Sequence, residues 1–405
     1  MDRIILHCDC NSFFASVETV FHPEYASVPM AVAGDSDMRH GIILAKNELA
    51  KKYGVQTAET IFSAKKKCRD LVLVKPHHEL YLAFSERVRQ IYERYTDLVE
   101  PFGLDEAWLD VTASQSLFGD GYTIANAIRC AIKEEIGITV SVGVSFNKVF
   151  AKMGSDYKKP DAVTVIDRDN YKRLLYPMPV GTLLFVGAQT ANALLSCNIR
   201  TIGDLASASP SYLKARFGKA GEMLSVYARG EDESPVADIY ERPDVKSVGN
   251  GMTFRRDLVT RDEIRLGLYS LAEDVARRLR KKGMKCATVS ITVKDPALKS
   301  FTRQRAIEPP TNLSREIGEA AYALALSSVP EGKPIRMLTV TAMHLMREEC
   351  AVEQISLFDS GDGKKRERTA TLENTVDTLR SRFGKDTITS GATLGNDIGI
   401  GGEGK

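Results

Sequence analysis

The chain has 405 residues, 43% of them hydrophobic and 27% charged, with a formal net charge of +2. That length exceeds one compact core and suits roughly three or four domains of an ordinary globular protein. No apolar run reaches the ~18 residues of a membrane span, and the opening MDRIILHCDC has no basic-then-apolar leader, so no membrane association and a cytoplasmic location are expected.

In chain order, Ile4-Ile5-Leu6 is a short apolar run ending at Asp9, expected as a buried strand. Residues 11–20 read as a helix. Short apolar runs at 29–32, 41–44 and 71–74 alternate with helical pieces at 47–53 and 61–68. The apolar spacing predicts an amphipathic helix over 81–98. Residues 99–102 and 108–111 flank Gly103-Leu104-Asp105-Glu106, which predicts a β-hairpin with two carboxylates at its tip. A helix over 124–136 and strands over 139–144 and 163–166 follow. This alternation indicates an α+β sheet domain into which 11–74 is inserted.

Residues 167–233 differ, with short helices broken by glycines, and predict a small all-α module. Residues 234–246 read as a polar linker. A long helix over 262–283 and strands at 288–293 and 338–342 predict a second α+β domain. Lys and Arg outnumber Asp and Glu between 243 and 345, while the rest of the chain has an acidic excess. One basic module is the pattern expected of a part that grips a phosphate backbone, though a merely soluble basic face fits equally. Beyond 346 the chain turns polar, and 360–368 is expected to be disordered. The seven cysteines are scattered and odd in number, which argues against a disulfide framework. Cys8-x-Cys10 has no further ligands at zinc spacing.

Asp9 falls where a strand emerges, and Asp105 and Glu106 fall at a hairpin tip. By themselves two acids at a turn read more readily as solvated side chains. If one sheet edge brings all three together, they form a hard oxygen set suited to Mg²⁺. Two such ions can clamp both oxygens of an in-line phosphoryl transfer.

Longer motifs surround these residues. They are Asp9-Cys10-Asn11-Ser12-Phe13-Phe14-Ala15-Ser16-Val17-Glu18, Leu104-Asp105-Glu106-Ala107-Trp108-Leu109-Asp110, Ser141-Val142-Gly143-Val144-Ser145-Phe146-Asn147-Lys148 with Ala151-Lys152-Met153 and Ser155-Asp156-Tyr157-Lys158-Lys159-Pro160, and Ser247-Val248-Gly249 with Thr253-Phe254. In that order they resemble the motifs of the Y-family (translesion) DNA polymerases, most closely the DinB-type, or DNA polymerase IV, subgroup. The match runs from residue 1 to about 345.

The resemblance implies a right-hand α+β multidomain polymerase. A ferredoxin-like palm would take 1–10 and 75–166, small fingers 11–74, a helical helix-hairpin-helix thumb 167–233, and an α+β little finger 247–345 after the linker 234–246. A flexible tail would take 346–405. It implies template-directed DNA synthesis past lesions, with low fidelity, low processivity and no proofreading, on primer-template DNA with deoxynucleoside triphosphates, by a monomer. Asp9, Asp105, Glu106 and the Cys10 carbonyl would hold two Mg²⁺, with Asp105 and Glu106 at the centre of catalysis. Phe14 would be the steric gate against ribose, with Phe13 in the core. Lys159 would reach the triphosphate. In the fingers, Ala45, Glu48 and Lys51 stand where relatives carry Thr, Tyr and Arg, and Lys46 or Lys51 would compensate.

Gly187 and Gly218-Lys219 look like thumb turns that approach phosphates, although Phe185 stands where a glycine is common. Arg255, Arg256, Arg277, Arg278, Arg280, Arg303 and Arg305 would belong to the basic little finger. Gln354-Ile355-Ser356-Leu357-Phe358 resembles the peptide by which bacterial polymerases dock on a sliding clamp, with Gln354, Ser356, Leu357 and Phe358 as its contacts. Rival readings are a UmuC-type mutagenic subunit that needs accessory proteins and a catalytically impaired DNA-binding scaffold. A nucleotidyl cyclase with a similar palm fits the basic and helix-hairpin-helix modules poorly.

Overall fold

The computed structural model describes residues 2–34, 41–241, 244–351, 362–384 and 387–401. The clamp-like peptide at 354–358 lies outside them. The chain forms two compact units, Met1–Gly34 with Ile42–Arg242, and Pro243–Lys405. Among the described residues no helix is long and apolar enough to cross a membrane.

In the first unit, β1 (Ile5–Cys10) leads into α1 (Phe13–Phe21), then β2 (Met30–Ala33), β3 (Ile43–Lys46), α2 (Glu48–Lys52), α3 (Ile61–Lys67), β4 (Val72–Val74) and α4 (His78–Tyr92). Next come β5 (Val99–Pro101), β6 (Glu106–Asp110), α5 (Gln115–Phe118), α6 (Gly121–Glu135), β7 (Val140–Ser145), α7 (Lys148–Tyr157) and β8 (Val163–Ile166). Four helices follow, α8 (Tyr171–Leu175), α9 (Ala188–Ser196), α10 (Ile202–Ser207) and α11 (Pro210–Arg229). The second unit holds β9 (Ser247–Leu258), α12 (Arg261–Lys281), β10 (Met284–Lys294), β11 (Ser300–Thr311), α13 (Ser314–Ser328), β12 (Ile335–Arg347) and α14 (Asp362–Phe383).

The first unit is built on a five-stranded sheet of order β5-β6-β1-β7-β8. β1 is buried along its whole length, as its apolar run requires for a central strand. α4 and α6 cover the sheet with Tyr81, Phe84, Val88 and Ile91 and with Ile124, Ile128 and Ile132, spaced for one helical face. α4 ends at Tyr92 rather than near 98. The Thr96 hydroxyl donates to the Asp110 carbonyl over 2.7 Å, so the last apolar positions of the pattern reach the core from a turn. The inserted segment forms its own sheet, β3-β2-β4, with a small core around Ile43, Ala50 and Ala64. The helices after β8 pack around Leu194, Leu205, Leu213 and Leu224. The expected linker is laid down at its start. Val236 packs with Ile5, Trp108 and Ala151, and the Ala237 N–H donates to Glu100 at 2.9 Å.

The second unit is a four-stranded antiparallel sheet, β11-β10-β12-β9. α12 buries Ile264, Leu268, Leu271, Val275 and Leu279 against it, and a Thr260–Glu263 capping box starts that helix. β9, β11 and α13 were not foreseen as elements.

The flexible-tail expectation is corrected by α14. Arg280 holds Asp377 at 2.8 Å and also pairs with Glu373. Arg366 holds Glu316 at 2.7 Å, and Arg380 holds Glu273 at 2.6 Å. The Glu373 carboxylate also accepts from the Ser314 N–H at 3.1 Å, capping α13, whose N-terminus has no side-chain cap of its own. Farther on, Ile398 and Ile400 join the apolar core. The docking face of α14 is charged rather than apolar, so its composition mimics a disordered segment.

Candidate active site

The β1–β6 register places Asp9 opposite Glu106. The Cys10 N–H donates to the Asp105 carbonyl over 2.9 Å. Two strands far apart in sequence thus deliver Asp9, Cys10, Asp105 and Glu106 to one end of the sheet. On the other side of β1, Asp9 faces Ser141 of β7. α7 lies directly on β7, and Gly143 is what permits it. A Cβ there would sit 1.9 Å from the Ala151 carbonyl oxygen and 2.4 Å from the Ser155 nitrogen.

That close approach brings the polar face of α7, and the residues just beyond it, onto the carboxylates. Lys159 Nζ lies 2.5 Å from Asp9 Oδ2 and 2.7 Å from Asp156 Oδ1. Lys152 pairs with Glu106. His7 Nε2 stands 3.2 Å from Glu106 Oε2, and its Nδ1 stands 2.8 Å from Ser155 Oγ. The Ser155 hydroxyl itself donates to the Lys152 carbonyl at 2.8 Å. On the outer flank, Lys148 binds both oxygens of Glu100 at 2.6 Å.

The environment splits the acids apart. Burial pushes Asp9 up to about 7, against the pull of the Lys159 ammonium. Asp105 is also raised, by burial first and then by the neighbouring Glu106 charge. Burial acts on Glu106 in the same direction, but hydrogen bonds from His7 and Lys152 outweigh it and hold Glu106 down to about 2. Burial drives His7 down to about 4, so this imidazole is neutral near pH 7.

Among the described residues no three His, Cys, Asp or Glu side chains are already gathered as a coordination shell. Two ammonium groups sit on the carboxylates instead. A sheet end that holds two cationic groups against hard oxygen donors has the charge and donor type for divalent cations.

Phe13 is buried and Phe14 half-buried. The Phe14 ring stacks on Tyr81 with centroids 4.1 Å apart and meets His78 edge-on at 6.0 Å. In the inserted unit Lys51 reaches Glu48 at 3.5 Å, so that glutamate carries its own counter-charge. Lys46 Nζ donates to Thr57 at 3.1 Å, and its pKa is lowered by partial burial and then by Lys51.

Gly187 caps α9 with nothing near its missing side chain. Gly218 (φ 65°, ψ −146°) breaks the run of α11, in a region that only glycine adopts without strain. Lys219 beside it is exposed. Phe185 takes a left-handed φ of 66°, the conformation for which glycine is common at that place.

In the second unit, the Arg255 N–H donates to the Ile398 carbonyl at 3.1 Å. Arg256 holds Glu263 and Asp397, each at 2.6 Å. Arg303 and Arg305 are exposed on edge strand β11, opposite the core residues Ile291 and Val289. They therefore share the helix-covered face of the sheet. Arg280 is buried in the α14 ion pairs, so its expected part in a basic DNA surface is replaced by tail docking.

His7, Lys152, Ser155 and Asp156 were not singled out as site residues. Lys152, Ser155 and Asp156 stand within the third motif, and periodicity was a further signal. His7 precedes Asp9 by two on one strand face, and Lys148, Lys152, Ser155 and Lys159 recur at helical spacing.

A model of the impB/mucB/samB family matches residues 8–156, and the model of that family's C-terminal domain matches residues 245–357. The chain is 48% identical to DNA polymerase IV of Acetivibrio thermocellus, over 97% of this chain and 98% of that protein. It is 39% identical to DNA polymerase IV of Moorella thermoacetica, over 97% and 96%. It is 35% identical to DNA polymerase IV 2 of Bacillus subtilis, over 97% and 95%. Among solved structures, a Y-family DNA polymerase chimera of Dbh and Dpo4 superposes with a TM-score of 0.75 at 24% identity, covering 85% of this chain and 99% of that one. The fold is that of the Y-family polymerases. The chain belongs to the DinB-type branch of the Y-family DNA polymerases, the branch of the DNA polymerase IV proteins.

Proposed function

We infer that this chain is a DNA-directed DNA polymerase for translesion synthesis, extending primer-template DNA with deoxynucleoside triphosphates. The observation that carries the reading is the β1–β6 register, which sets Asp9 beside Glu106 with Asp105 adjacent. Asp9, Asp105 and Glu106, with the Cys10 carbonyl, would hold two Mg²⁺. Bound there, the ions would supply Lewis-acid activation of the primer hydroxyl and neutralisation of the departing pyrophosphate. His7 and Lys152 keep Glu106 ionised and oriented. Lys159 is a flexible point charge that leaves Asp9 for the triphosphate once Asp9 has another counter-charge. Phe14, propped by Tyr81, stands under the sugar and clashes with a ribose 2′-hydroxyl. Lys46 and Lys51 are secondary triphosphate contacts from the inserted unit.

In this reading the palm comprises 1–10 and 75–166, the fingers 11–74, the thumb 167–233 and the little finger 247–345. Gly187, Gly218 and Lys219 of the thumb, and Arg255, Arg256, Arg303 and Arg305 of the little finger, contact the DNA backbone without reading sequence. The peptide 354–358 tethers the enzyme to a sliding clamp. The reading includes low fidelity, low processivity, no proofreading, action as a monomer, and a cytoplasmic location.

Primer extension on intact and lesion-bearing templates tests it. Wild type is expected to extend with Mg²⁺, and Asp105→Ala to lose at least about 10²–10³-fold in rate while still binding duplex. A wild-type chain that binds primer-template yet adds no nucleotide with Mg²⁺ or Mn²⁺ would make it a DNA-binding scaffold. Extension only with accessory proteins would make it a UmuC-type subunit.

A further inference from the structure

In the second unit, a cleft of about 550 Å³ lies between the end of β11, α13 and the start of α14. Its charged lining resolves into pairs and a remainder. Arg366 of α14 pairs with Glu316 at 2.7 Å, and Arg315 pairs with Glu319 at 2.7 Å. Arg305 and Lys365 also line the cleft, and among the described residues neither side chain has an ion pair or hydrogen bond. Among the described residues Glu308 is the one lining acid left over, so their balance at the cleft is positive. Arg305 lies opposite Val289, a core residue, and therefore turns to the helix side of the sheet edge.

We propose that this cleft is a phosphate site, taking the phosphodiester backbone of DNA between Arg305 of β11 and Lys365 of α14. The C-terminal helix then widens the DNA grip of the second unit. Two cations on separate elements, facing one open cleft with a single unpaired acid among the described residues, suit an extended polyanion. The site continues a basic line. Arg303 lies two residues from Arg305 on the same strand face, and the exposed Lys364 and Arg368 flank Lys365 on α14. Lys365 is also held in place beforehand, because the ion pairs of Arg280 with Glu373 and Asp377 fix the helix that carries it. A cation already positioned gives up less freedom on binding than one on a loose tail. The proposal rests on the reading that the second unit grips DNA.

The test measures binding of the full chain to a labelled primer-template duplex across a salt series. The proteins are wild type, Lys365→Ala, Arg303→Ala, Arg305→Ala, and the Lys365→Ala/Arg305→Ala pair. Lys365→Ala and Arg305→Ala are each expected to weaken binding several-fold. Each is expected to flatten the log K against log salt dependence by about 0.9, the slope that neutralising a single phosphate contributes. An unchanged urea midpoint for Lys365→Ala shows that α14 stays docked. If Lys365→Ala matches wild type in affinity and salt slope while Arg305→Ala does not, the tail cleft is no DNA site and the grip reading survives. If Lys365→Ala, Arg303→Ala and Arg305→Ala all match wild type, the assignment of these arginines to DNA falls as well.

Discussion

Lys159 closes on Asp9 across 2.5 Å from 150 residues farther along the chain. A buried carboxylate at the end of a central strand is thereby matched by an ammonium from a residue just beyond α7. Lys152 does the same for Glu106.

The first expectation concerns pH. Asp9 is pushed up to about 7, so it takes up a proton as pH falls below that value, and a divalent ion must then displace the proton. Affinity for Mn²⁺ is expected to fall roughly tenfold per pH unit below 7 and to level off above it. Calorimetry in two buffers of different ionisation enthalpy would register the released proton. The stability contribution has the opposite sense to that of an ordinary salt-bridged acid. A carboxyl raised in the folded state stabilises fully below its ordinary value of 3.8, and the contribution is lost as pH rises through about 7. Equal Mn²⁺ affinity at pH 6 and pH 8 would remove Asp9 from the ligand set.

Phe14→Ala deletes a ring stacked on Tyr81 and half-buried. Discrimination against ribonucleotides is expected to drop by about 10²-fold, with deoxynucleotide incorporation much less affected. Competitive incorporation of matched ribo- and deoxynucleotides measures it. Unchanged sugar selectivity would return Phe14 to an ordinary packing role.

Deletion of residues 354–358 is expected to spare unaided primer extension and to abolish stimulation by a loaded sliding clamp. The readout is product length with and without clamp. Stimulation that persists would place the docking contact elsewhere on the chain.

Ile398→Ala tests whether the C-terminal segment belongs to the core. Ile398 is 1% exposed and packs with the cluster under α12. Truncating a buried isoleucine costs about 2–5 kcal/mol, read from urea unfolding of the second unit. A midpoint indistinguishable from wild type would return this segment to the loose tail that its composition suggests.

Local patterns were legible where one face of an element meets one core. The 264, 268, 271, 275, 279 spacing announced α12, and those residues are buried in it. The apolar run before Asp9 announced β1. The hairpin reading of 99–111 placed Asp105 and Glu106 at its tip; β5 and β6 do pair, with Asp105 in the connection and Glu106 the first residue of β6. β11 escaped notice because an exposed edge strand carrying Arg303 and Arg305 lacks the alternation of a buried one. α14 escaped because it docks through Arg366, Glu373, Asp377 and Arg380, and a helix held by ion pairs has no apolar stripe to read.

By itself the amino-acid order determined which chemistry is present. It supplied three acids in two separated motifs, a phenylalanine pair, a trailing lysine and a basic module at 243–345, because residue type and short-range spacing are local properties. The tertiary structure alone decided which of those groups meet. Strand register set Asp9 against Glu106, a glycine at 143 let α7 bring Lys152, Ser155 and Lys159 onto the carboxylates, and His7 became their buried partner. It also decided that Arg280 serves the tail rather than an open surface. Distances between groups separated by a hundred residues depend on long-range packing, which no window of sequence contains.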